Sequence, residues 1–130
     1  MNQPNWRWID NGVILAIHDR QISEHGGLAG VRDPGGLSSA LARAQNIAAY
    51  GDPDVAELAA AYGAGIAKNH PFADGNKRTA WVAVRLFLVD NGYRLIFDPQ
   101  DAVRTMEGLA GNEVSEKAFA EWLRKQITRQ

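Results

Sequence analysis

The run Thr79-Ala80-Trp81-Val82-Ala83-Val84-Arg85-Leu86-Phe87-Leu88-Val89 constrains this chain most. It is apolar almost all round, and a helix greasy on most sides must be enclosed by others. Arg85 interrupts the run, which is far short of the roughly 20 residues a membrane-spanning helix needs. The expectation is therefore a helical bundle with this segment, opening near Asn76 and stopped by Asn91-Gly92, at its middle.

The flanking segments read as helices too. Trp8 to about Glu24 carries Val13, Ile14, Ile17 and Ile22 on its apolar side, and Gly26-Gly27 ends it. Leu37 to Tyr50 is alanine-rich, a good helix composition, and Gly51-Asp52-Pro53 breaks it. Asp54, with Glu57 three residues on, caps a third helix whose buried side is Val55, Leu58, Ala59, Tyr62 and Ile66. Gly63 and Gly65 either weaken that helix or admit a close neighbour. It ends near Asn69-His70. After an extended link from Tyr93 to Phe97, Asp98-Pro99 starts a fifth helix that runs to about Ala110. Ser115 caps a last one ending near Arg124 and Lys125. The sum is an all-α bundle of about six helices, with no strand ladder, in one domain covering residues 1–130.

Composition removes several function classes. Apolar residues make up 45% and charged residues 22%, as in ordinary globular domains. Fourteen basic and fifteen acidic residues leave a net charge of -1, with no broad cationic field for direct nucleic-acid binding. The absence of cysteine excludes disulfides and thiolate metal sites and fits a reducing compartment. With no signal peptide and no membrane span legible, a cytoplasmic location is expected.

Two loops stand out. The segment Gly26 to Gly36 holds five glycines and Pro34. It is long for a connection, which leaves a plain connector and a functional loop both open. The second is His70-Pro71-Phe72-Ala73-Asp74-Gly75-Asn76-Lys77-Arg78. Asp74-Gly75-Asn76 is a strong turn signal, and the amides after it open the fourth helix. Exposed amides at a helix start bind anions. Lys77 adds a mobile charge and Arg78 a planar fork of donors. A carboxylate beside phosphates, Asp74, calls for a bridging cation such as Mg²⁺. A neutral imidazole, His70, can take a proton from an attacking hydroxyl. Base, metal ligand and anion cradle are the parts that phosphoryl-type transfer uses. Taken singly, each residue reads as readily as a cap, a turn former or a solvated charge, and Pro71 and Phe72 as a turn and a hydrophobic peg. The loop matches neither a P-loop nor a protein-kinase catalytic loop. His18 reads as a structural histidine, His25 as a surface one, and the tryptophans, Trp81 and Trp122 especially, as helix-packing residues.

This stretch resembles the signature of the Fic/Doc family, and the whole chain looks most like its short Doc (death on curing) branch. Leu15 to Asp19, Gly26-Gly27 through Arg32-Asp33-Pro34-Gly35, Lys77-Arg78-Thr79-Ala80 and Ala110 to Ser115 carry further likeness. The resemblance implies the compact all-helical Fic fold. It implies His70 as the general base toward a target hydroxyl and Asp74 as the Mg²⁺ ligand. Phe72 would anchor the loop, and Gly75, Asn76, Lys77 and Arg78 would line the phosphate nest for ATP. The Gly26–Gly36 loop matches the family's flap near the target segment. Two positions depart from the nucleotidyl-transferring pattern: Lys77 stands for a glycine, and Trp81 for a second arginine. Both match the Doc branch, whose resemblance implies a toxin that phosphorylates a threonine of elongation factor Tu and blocks translation. No Ser/Thr-x-x-x-Glu-Gly/Asn brake occurs in these residues, so an external antitoxin with a tail that folds on binding is expected. Transfer of AMP to a protein hydroxyl is the rival chemistry, and a binding protein without activity the rival class.

Overall fold

A computed structural model describes residues 5–130. The helices are α1 (Asn11–His25), α2 (Pro34–Tyr50), α3 (Val55–Asn69), α4 (Asn76–Asp90), α5 (Pro99–Ala110) and α6 (Glu116–Gln126). The all-α bundle of six helices holds. Asp54, Asp98 and Ser115 cap α3, α5 and α6 as their sequence positions predict, each accepting from a first-turn amide. No helix among the described residues is long and apolar enough to cross a membrane.

The middle helix is α3 and not α4, against the sequence expectation. From Val55 to Ala67 every residue of α3 except Glu57 is buried. In α4, Trp81, Val82 and Leu86 are half-buried, and Arg85 and Val89 are exposed. The reason is side-chain size. The Ala/Gly surface of α3 lets α2, α4, α5 and α6 close on it from several sides. A Cβ added at Gly63 would stand 2.8 Å from Phe119 of α6 and from Val84 of α4, and one at Gly65 would stand 3.2 Å from the Ala40 Cα of α2. The two glycines are thus sites of close helix approach. The sequence expectation followed the run with the largest apolar side chains, whereas centrality follows from the smallest.

Three boundaries also differ. α1 begins at Asn11 because Asp10 is extended and the residues before it are tied to the core: Trp6 and Trp8 lie against Phe87, and the Ile9 amide donates to the buried Tyr62 hydroxyl at 3.1 Å. Val13, assigned to the apolar side, is exposed. α2 begins at Pro34 because Asp33 caps it, accepting from the Gly36 amide, so the glycine-rich loop is shorter than its composition suggests. A small antiparallel ladder joins β1 (Tyr93–Leu95) to β2 (Ile127–Arg129), with Arg94 opposite Thr128. It falls where an extended link and a helix end were expected. Three-residue strands carry no period, and their partners are far apart in sequence.

Asp54 is also clasped by Arg124, through Nε at 2.6 Å and Nη2 at 3.1 Å. This guanidinium hydrogen bond holds the Asp54 carboxyl below the usual carboxylate range, with partial burial working against it. A depressed folded-state value gives stability that is present above the unfolded carboxylate range and lost as pH falls through the folded one. Asp54→Ala should therefore lower stability at neutral pH by about 1 kcal/mol, the scale of a lost cap, and the gap to the parent should narrow in acid. Urea titrations at neutral and strongly acidic pH measure this. In the core, Gly63→Ala should cost about 1–3 kcal/mol by overpacking three helices, a loss readable in thermal melts. Gly12→Ala, with nothing within 4 Å of the added Cβ, should be neutral or stabilising.

Candidate active site

The loop from His70 to Gly75 leaves one buried helix and enters another, and four sets of contacts fix it. Its own closure comes from Asn76, whose Oδ1 accepts from the Phe72 amide at 3.0 Å and whose Nδ2 donates to the Phe72 carbonyl at 3.1 Å. Phe72 is fully buried and stacks on His18 of α1, centroids 3.8 Å apart and planes 7° apart. The same imidazole, itself 2% exposed, meets the Asp74 carbonyl through Nε2 at 2.8 Å. A carbonyl only accepts, so Nε2 carries the proton.

The preceding loop supplies the rest. The Arg32 and Asp33 amides donate to the Pro71 carbonyl, the Ala73 amide donates to the Gly30 carbonyl, and Val31 bridges to Phe72. Arg32 Nη2 donates to the His70 carbonyl at 2.6 Å. The glycine-rich segment is therefore docked on the motif loop by main-chain bonds. Gly27 meets it most closely. Its φ is +119°, and a Cβ there would stand 2.7 Å from Asp74 Oδ2.

These contacts present a defined set of groups. His70 ends α3 in the left-handed region, φ 48° and ψ 56°, with its side chain exposed. A non-glycine residue in that region stores strain, often at functional positions. Asp74 is exposed; its Oδ1 accepts from the Gly75 amide at 2.9 Å and Oδ2 from the Leu28 amide at 3.3 Å. Gly75, at φ 75°, turns the chain into α4, whose N-terminus has no side-chain cap. The first-turn amides of Asn76, Lys77 and Arg78 are thus left for an anion. Asn76 offers this corner its amide, since its side chain closes the loop.

His70, Asp74, Gly75, Asn76, Lys77 and Arg78 all line one cavity of about 1050 Å³. Arg32, Trp81, Phe97, Val103, Met106 and Glu107 complete most of its wall. Sequence reasoning did not place Phe97, Val103, Met106 or Glu107 at the site; Arg32 entered only through the flap-like loop, and Trp81 only by resemblance, at the position of a second arginine. Read from the residues alone, Trp81 was a packing residue; it is half-buried at the cavity edge. Its i+4 spacing from Lys77 and i+3 spacing from Arg78 were the available signal. Nothing in sequence spacing ties α5 to the loop. Among the described residues no group of three or more His, Cys, Asp or Glu side chains forms a metal cage. A lone carboxylate next to an anion corner suits Mg²⁺, which is usually held by one or two carboxylates together with substrate phosphates.

His18→Phe keeps the stacking on Phe72 and removes the donor to the Asp74 carbonyl. It should lower stability by about 1 kcal/mol and speed amide exchange at Gly75. Denaturant titration and hydrogen exchange measure the two effects.

Comparison with known proteins agrees with this geometry. Residues 8–88 match the Fic/DOC family. Over 120 residues the chain is 38% identical to the "Protein kinase doc" of Escherichia phage P1, covering 92% of this chain and 94% of that protein. Over 77 residues it is 46% identical to the "Toxin Doc" of Mycolicibacterium smegmatis, covering 56% and 58%. With the motif loop, the helical frame and these relatives in agreement, this chain belongs to the Fic/Doc family and is similar to its Doc-type toxins.

Proposed function

We propose that this protein is a toxin that transfers the terminal phosphate of ATP to a threonine hydroxyl of a target protein, elongation factor Tu by resemblance to the Doc branch. The observation that carries the reading is the meeting of His70, Asp74 and the uncapped first turn of α4 on one cavity wall. Near full-length similarity to a protein kinase doc supports phosphoryl over AMP transfer. So do Lys77 and Trp81, which stand where nucleotidyl transferases have a glycine and an arginine.

In this reading His70 accepts the proton of the threonine hydroxyl as its oxygen attacks the third phosphorus. The bond from that phosphorus to its bridging oxygen breaks, and ADP leaves. The amides of Asn76, Lys77 and Arg78 and the two cationic side chains hold the phosphate oxygens. Their fixed direction is what stabilises charge in the transition state. Asp74 would hold Mg²⁺, which would neutralise charge between the outer phosphates. The left-handed conformation of His70 and the bond from Arg32 to its carbonyl fix the base relative to α4. Such positioning matters because a displacement of about 1 Å can cost about 10²-fold. A growth-blocking enzyme of this kind pairs with a small antitoxin whose disordered tail folds on it.

The test is to incubate the protein with elongation factor Tu, ATP and Mg²⁺, then read the modified peptide mass and the leaving group. A phosphorylated threonine with ADP released is expected. A peptide carrying AMP with pyrophosphate released overturns the kinase reading. His70→Ala should stay folded and lose roughly 10²-fold or more in rate, the scale of a positioned base. Asp74→Asn keeps the oxygen that accepts from the Gly75 amide, so it should retain the turn and lose Mg²⁺-dependent rate. Full activity of either variant contradicts its role.

A further inference from the structure

A second, smaller hollow of about 340 Å³ shares no residue with the motif cavity. It forms because α2 and α6 both pack on α3 and leave a groove between them. The Arg43 guanidinium spans that groove, donating to Glu116 through Nε at 3.0 Å and Nη2 at 2.9 Å. Half-buried Ile47 and buried Ala120 give it an apolar floor. Three carboxylates, Glu57, Glu116 and Glu121, stand in its rim. Beside it, about one turn along α2 from Ile47, Tyr50 is 92% exposed, more than any other large apolar side chain among the described residues. Helical side chains lean toward the N-terminus of their helix, so Tyr50 stands next to the groove without filling it.

Nothing in the single chain uses the apolar area of this ring, and aromatic anchors of that kind carry much of the binding energy of interfaces. We infer that the α2–α6 face joins two copies of this chain about a two-fold axis, each Tyr50 seated in the other copy's groove. Three observations select a second copy as the occupant. Peg and hole lie on one face, so a single two-fold contact fills both holes and closes; on opposite faces they would build open filaments. The groove suits a phenol, since its floor is apolar and the carboxylates of its rim accept from a hydroxyl. The charge pattern of α6 is complementary to itself. Lys117 and Glu121 lie four residues apart on one side of that helix, both exposed, and neither forms an ion pair among the described residues. Two α6 helices running antiparallel across the axis set Lys117 of one copy opposite Glu121 of the other, twice over. From Glu57 at the groove to the end of α3 at His70 is about 20 Å along the helix. Pairing here therefore leaves the motif cavity open, and the inference is independent of what that cavity binds.

The experiment is sedimentation velocity on the full chain from about 1 μM to about 1 mM, the range of weak to moderate association. The parent should pass from monomer to dimer across that range. Tyr50→Ala, at an exposed helix end, should keep the parent's circular dichroism and weaken dimerisation about tenfold or more. Lys117→Glu sets like charges opposite each other and should also weaken it. Adding Glu121→Lys to the same chain restores opposite signs and should recover the dimer. A parent that stays monomeric throughout overturns the inference and leaves the groove to another protein. A dimer that Tyr50→Ala leaves unchanged uses another face and overturns it as well. Growth beyond dimers with concentration marks a head-to-tail contact and overturns the two-fold. Loss in Lys117→Glu without recovery in the double variant overturns the antiparallel α6 pairing.

Discussion

The close approach of four helices to α3 is the constraint on which the rest of this structure depends. Gly63 and Gly65 let α4, α6 and α2 come within van der Waals distance, and the alanines between them keep the surface smooth. Cores packed at crystal-like density transmit position well, because little slack remains for a helix to shift. The end of α3 and the start of α4 are therefore held in a fixed relation. The six residues between them, His70 to Gly75, inherit that rigidity from both sides.

Long-range bonds then fix the loop itself. Asn76 ties Phe72 from within, His18 ties Asp74 from α1, and Arg32 ties His70 from the glycine-rich segment. Each joins residues that backbone geometry alone would not hold together. The outcome is preorganisation: the His70 main chain, the Asp74 carboxylate and the helix amides are set before any ligand arrives. A side chain on a loop held by packing and secondary hydrogen bonds is placed more precisely than one on a free loop. The glycine-rich segment is part of this frame, since its carbonyls and amides pair with Pro71 and Ala73. Its composition left a plain connector and a functional loop open; the structure docks the segment on the motif loop by main-chain bonds.

The motif cavity is polar at one end and apolar at the other, and this division follows from the same frame. α4 lays its polar first turn and its aromatic second turn along one wall. α5 supplies the facing stripe because its cap at Asp98 and its turn at Gly111 fix where it begins and ends. Polar and apolar ends of one trough therefore arise from two helices that meet only through tertiary packing.

The amino-acid sequence by itself determined the six helices, most of their caps and the composition of the motif loop. Those features are local: a cap needs a side chain within three residues of an amide, and helical burial repeats within one turn. His70, Asp74, Lys77 and Arg78 stood out for the same reason, being gathered in one short stretch, and they line one cavity. Tertiary structure alone decided that α3 is central, that His18 buttresses Asp74, that Arg32 reaches His70, and that Trp81, Phe97, Val103 and Met106 share a wall. It also decided the β1–β2 ladder. These relations join residues far apart in sequence, and their pairing depends on which surfaces can approach. Approach is governed by side-chain volume at the contact, which a period or a mean hydropathy does not encode.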